Sequence, residues 1–95
     1  MSQIVELPRV GGPGSGVGAA WRVIVLNDDF NTFDHVAETL AGVIPGMSLA
    51  DGYRLADRIH NTGQAIVWAG AREEAERYWE SLDAAGLTMA PLEAG

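Results

Sequence analysis

The sequence has no cysteine, few basic residues and no long apolar run, and each absence argues against a class of function. Without cysteine there can be no disulfide, no thiolate metal site and no thiol nucleophile, and such usage fits a reducing compartment. Lys and Arg together number 6 against 13 Asp and Glu, for a formal charge of -7. The basic residues are scattered rather than clustered. Nucleic-acid binding draws its affinity from Lys and Arg on phosphate, so this composition argues against such a partner. No stretch approaches the roughly 20 apolar residues that a membrane span needs. Glu6 and Arg9 interrupt the amino end, where a secretory signal would carry a continuous apolar segment. The expectation is a soluble, intracellular protein.

What is present is enough for one domain. The chain has 95 residues, 47% of them hydrophobic, so a single core is feasible without covalent staples. Residues 11–18 read Gly-Gly-Pro-Gly-Ser-Gly-Val-Gly. Holding such a run in one conformation costs too much backbone entropy, and it lacks the Lys-Ser/Thr ending and preceding strand of a phosphate loop. Residues 1–20 are therefore read as a flexible glycine-rich extension and residues 21–95 as the folded domain.

From Trp21 the texture changes. Trp21-Arg22-Val23-Ile24-Val25-Leu26 is apolar on both faces and suits a central strand, which Asn27-Asp28-Asp29 ends. Phe33, Val36, Ala37, Leu40 and Ile44 recur at helical spacing, with Asn31 or Thr32 as cap and Pro45-Gly46 as stop. Ser48 and Asp51 have the spacing of a capping box for a second helix. Its stripe is Leu49, Tyr53, Ala56, Ile59 and His60, closed by Gly63. Ala65-Ile66-Val67-Trp68 reads as a second strand. A third helix follows Gly70, with Ala71, Ala75, Tyr78, Leu82 and Ala85 inward and a Glu73–Arg77 pair outside. Gly86 ends it, and residues 87–92 form the last strand, where Pro91 signals an edge or an end. The order is β-α-α-β-α-β, an α+β fold whose stripes are buried by one sheet layered on helices.

Two clusters could carry chemistry. Asn27-Asp28-Asp29 sits where a buried strand breaks toward a helix, and His60 lies on the stripe with Ala56 and Ile59, at the edge of an apolar surface. Each also has a plain structural reading, as a turn and as a half-buried histidine. Catalysis would require a nucleophile, a base and an oxyanion site to converge, and Ser48 and Ser81 have no such context. His35, His60, Asp28 and Asp29 match no recognised metal-ligand spacing, so no metal or other cofactor is expected.

Leu26-Asn27-Asp28-Asp29, the helix start at Thr32-Phe33, Ile59-His60-Asn61-Thr62-Gly63-Gln64-Ala65 and Glu73-Glu74-Ala75-Glu76 together resemble the ClpS family over the whole domain. ClpS proteins are adaptors that deliver N-degron substrates to the Clp AAA+ unfoldases ClpA or ClpC. The resemblance implies a three-stranded antiparallel sheet on three helices, no enzymatic turnover, and a monomer in bacterial cytoplasm or plastid stroma. Carried over by residue, it implies that Asn27, Asp28 and His60 bind the substrate's α-amino group, with Asp29 as a nearby acidic group. Asn31, Thr32, Phe33, Val36, Ala56 and Ile59 would form the pocket for the first side chain. Glu73 and Glu76 would dock the amino-terminal domain of the unfoldase.

Three positions depart from the commoner family pattern. Asn31-Thr32-Phe33 stands where Thr-Pro-Met is usual, Ala56 where Met is usual, and His35 where an aromatic is usual. Ala56 removes bulk from one wall and Phe33 adds a ring to another, so a preference for Leu over Phe, Tyr and Trp is expected. The alternatives are a relative that keeps the fold and docks a partner without the pocket, or an enzyme using His60 with Asp28 or Asp29.

Overall fold

A computed structural model of the protein describes residues 20–94. The extension assigned to residues 1–20 lies outside that range apart from Ala20. The elements are β1 (Trp21–Leu26), α1 (Phe33–Val43), α2 (Leu49–Thr62), β2 (Gln64–Gly70), α3 (Arg72–Ala84) and β3 (Glu93–Ala94). The three strands form one antiparallel sheet in the order β2-β1-β3, in agreement with the α+β arrangement expected from the sequence.

β1 is the central strand because both of its faces can be buried. Val23 and Val25 are fully enclosed in the core, and Ile24, pointing the other way, is only 6% exposed. Opposite it the register slips between Val23 and Ile24, since Val23 pairs with Trp68 and Ile24 with Ile66. Val67 is the extra residue of this bulge, and it too is buried in the core. Val36 and Leu40 from α1, Ala56 and Ile59 from α2, and Ala75 and Leu82 from α3 complete the interior. Among the described residues no helix is long and apolar enough to cross a membrane.

The helix ends follow the local chemistry. Thr32, rather than Asn31, caps α1 by accepting from the His35 amide at 3.0 Å. Ser48 and Asp51 form the full reciprocal capping box of α2. Gly63 closes α2 with φ 96, the left-handed conformation that glycine adopts without a Cβ penalty. α1 and α2 meet at Gly52, where a Cβ would lie 2.4 Å from the Ala37 carbonyl oxygen. That missing atom sets how closely the two helices approach.

Several expectations are corrected. The last strand is not residues 87–92: Met89 forms a single bridge to Val25, and the paired strand is only Glu93–Ala94. Pro91 has no N–H to donate, so the ladder breaks around it. β2 runs beyond the expected four residues, to Gln64 and Gly70. Ala71 and Ala85 are exposed because they fall at the caps of α3, off the buried stripe of Ala75 and Leu82. Leu49, at the first position of α2, is 48% exposed. On α3 the ion pair is Arg72–Glu76 at 2.9 Å, while Arg77 lies over the Tyr78 ring instead of pairing with Glu73.

Candidate functional site

The loop between β1 and α1 is built on one carboxylate. Asp28 Oδ1 accepts from the amides of Phe30 and Asn31, both at 2.8 Å. Asp28 Oδ2 accepts from Asn31 Nδ2 at 2.7 Å and from Thr88 Oγ1 at 2.6 Å. A carboxylate has about four lone-pair sites, and all four are taken. Desolvation pushes this carboxyl's pKa upward, but the donors from Thr88, Asn31 and Phe30 outweigh it and lower the pKa to about 2. Asp28 is therefore ionised at neutral pH and has no side-chain acceptor left for a ligand.

The same loop is fastened to the far end of the chain. Asn31 Nδ2 also donates to the Gly86 carbonyl at 3.0 Å, and His35 Nε2 lies 3.0 Å from the Ala85 carbonyl. The Asn27 amide donates to the Gly63 carbonyl at 2.9 Å, joining the end of β1 to the end of α2. His60 lies one turn before Gly63. Its ring is exposed, not at a half-covered edge as expected, and packs edge-on against Phe33 with centroids 5.3 Å apart. Phe33 itself is 40% exposed, so neither ring closes over the other.

These residues surround one cavity of about 320 Å³. Val36, Ala56 and Ile59 make its buried floor, and Asn31, Thr32 and Phe33 its side. Asn27, Asp28, Asp29 and His60 also line it, so every residue selected for amine binding and for the pocket borders the same space. Asp29 is exposed and has no hydrogen-bond or ion-pair partner among the described residues. Val25, Leu26, Leu87 and Thr88 line the cavity as well and were not foreseen. Val25 and Leu26 could have been, since they directly precede the selected loop. Leu87 and Thr88 carry no local signal, because they arrive from the far end of the chain. No residue of α3 reaches the cavity, so Glu73 and Glu76 lie apart from it.

A larger groove of about 780 Å³ borders β2 and α2, with Arg22, Arg54 and Arg58 among its lining. None of the selected residues lines it, and Asp51 and Glu93 on its lining are ion-paired with Arg54 and Arg22. The smaller cavity joins the buried Val36, Ala56 and Ile59 to Asn27, Asp28, Asp29 and His60.

The comparisons define the class: an adaptor of an ATP-dependent protease, not an enzyme. The family model described as ATP-dependent Clp protease adaptor protein ClpS matches residues 18–94. A Nostoc Clp protease adapter protein ClpS is 60% identical over 74 residues, covering 78% of this chain and 76% of that protein. The Thermosynechococcus vestitus ClpS is 58% identical over 73 residues, covering 77% of this chain and 78% of its own length. A solved structure of Agrobacterium tumefaciens ClpS2 bound to L-phenylalaninamide superposes with TM-score 0.71 at 30% identity, covering 81% of this chain and 98% of that one. The chain belongs to the ClpS family.

Proposed function

We propose that this adaptor captures the free amino terminus and first apolar side chain of N-degron substrates in the 320 Å³ cavity and delivers them to a Clp AAA+ unfoldase of the ClpC or ClpA type. The observation that carries the reading is the joining of an apolar floor to a rim of acceptors and negative charge. An α-ammonium is a three-donor cation. The Asn27 side-chain carbonyl, a ring nitrogen of His60 and the Asp28 backbone carbonyl are the acceptors offered to it. Asp28 and Asp29 supply negative potential, Asp28 as a charge held behind its own hydrogen bonds and Asp29 as an open carboxylate. An internal peptide bond carries no such cation, so the rim selects chain ends.

The solved ClpS2 relative holds L-phenylalaninamide, a free amine next to a single apolar side chain, which supports the same division of labour here. This cavity differs in its walls from the common family pattern. Ala56, 3% exposed on the floor, leaves room, and the stiff Phe33 ring narrows the mouth. A branched aliphatic side chain suits that shape better than a flat ring. Peptides differing only at the first residue, titrated by fluorescence anisotropy, should rank Leu first, with Ile and Val above Phe, Tyr and Trp. Phe binding about tenfold tighter than Leu would overturn the ranking while leaving capture itself intact.

Delivery is assigned to α3, none of whose residues lines the cavity. Glu73 is exposed on the first turn of α3, with Glu76 one turn on. Glu73→Lys reverses a charge there without touching the core, so it should weaken binding of an unfoldase amino-terminal domain at least about fivefold and leave Leu-peptide affinity unchanged. Unaltered unfoldase binding in that variant removes Glu73 from the docking face. Cyanobacterial and chloroplastic relatives support a place of action in bacterial cytoplasm or plastid stroma.

A further inference from the structure

We propose that Thr88 is a positioning residue for amino-terminus capture, gripping the chain on both sides of Asn27 so that the Asn27 side chain is held at the rim. The inference rests on the capture reading above and adds to it a residue sixty positions away from the loop it controls.

The grip has two parts. The Thr88 backbone carbonyl accepts from the Leu26 amide at 2.8 Å, continuing the line of pairing that includes the Val25–Met89 bridge. The Thr88 hydroxyl donates to Asp28 Oδ2 at 2.6 Å. Leu26 and Asp28 flank Asn27, so a single residue fixes the chain before it and after it. The Asn27 amide is held separately by the Gly63 carbonyl at 2.9 Å. With three successive residues tied, the backbone at Asn27 has little freedom left, and Asn27 lines the same cavity as His60.

The hydroxyl also decides what Asp28 does. With Thr88 as the fourth donor the carboxylate is saturated and turned to the loop's own amides. Without it Asp28 keeps its three donors from Phe30 and Asn31 but loses the side-chain bond that ties it to Thr88, so the rim is held less firmly. Thr88 therefore keeps Asp28 as a fixed charge and leaves the direct acceptor role to Asn27 and His60. The preorganised rim binds without first having to order its loop.

The test uses Thr88→Val, which removes the hydroxyl at nearly constant shape, and Thr88→Ser, which keeps it. Each is measured for binding of a Leu-initiated peptide, for binding of its N-acetylated form, for thermal midpoint and for Asp28 titration by NMR. Thr88→Val should bind the free-amine peptide about tenfold more weakly. Its Asp28 carboxyl should titrate above the starting value of about 2. Thr88→Ser should restore both. A folded Thr88→Val variant with unchanged affinity overturns the positioning role. So does a Thr88→Ser variant that binds as weakly as Thr88→Val, and that comparison still decides if valine is not tolerated. If the unmodified protein does not bind the free-amine peptide at all, the capture reading itself fails and this role with it.

Discussion

A peptide beginning with leucine should bind the unmodified protein, and acetylating its amino terminus should weaken binding at least about a hundredfold. Acetylation removes the positive charge and leaves one N–H in place of three. Two charge-assisted hydrogen bonds at the rim are lost, each about 1.5–3 kcal/mol when made to a charged group. Their sum, roughly 3–6 kcal/mol, corresponds to a hundredfold or more. The leucine side chain is the same in both peptides, so its contact with Val36, Ala56 and Ile59 cancels from the comparison. His60→Ala should reproduce part of the loss for the free-amine peptide, about tenfold to a hundredfold, because one acceptor disappears and Phe33 loses its ring partner. Equal binding of the two peptides would remove capture from the account and leave family membership untouched.

The second large effect is on stability and falls far from any ligand. Gly52→Ala places a methyl group 2.4 Å from the Ala37 carbonyl oxygen, which belongs to backbone and cannot rotate away. Ala37 is itself fully buried, so relief requires α1 and α2 to move apart along their whole contact. Overpacking of this kind costs about 3 kcal/mol or more. In a domain of this size that is a fall in thermal midpoint of roughly 12–24 °C. Alanine is the better helix former, by about 1 kcal/mol at an exposed interior position, so intrinsic propensity predicts the opposite sign. A midpoint equal to or above that of the parent protein would show that the helix pair can yield at no cost.

The order of elements was legible because each had a local cause. Leu40 and Val36 repeat at helical spacing, Ser48 and Asp51 sit three apart, and Val23-Ile24-Val25 has no polar face. The last strand was misplaced because residues 87–92 are apolar enough for a strand, while Pro91 removes the donor that continued pairing requires. Exposure at helix ends also escaped the pattern: Ala71 and Ala85 keep the apolar spacing but lie where the helix no longer packs. At the cavity, Asn27, Asp28 and His60 stood out through their neighbours in sequence. Thr88 did not, since nothing near it indicates that its hydroxyl meets Asp28. Nor does the sequence indicate that the oxygens of the Asp28 carboxylate are filled from within, which the packed structure reveals.

The order of synthesis gives those long-range bonds a further meaning. Asp28, Asn31 and His35 are joined to Thr88, Gly86 and Ala85, partners 60, 55 and 50 positions later. A ribosome releases the amino end first, so the loop emerges well before anything exists to hold it. Throughout that interval the nascent chain has the residues that line the cavity's loop side but not the bonds that arrange them.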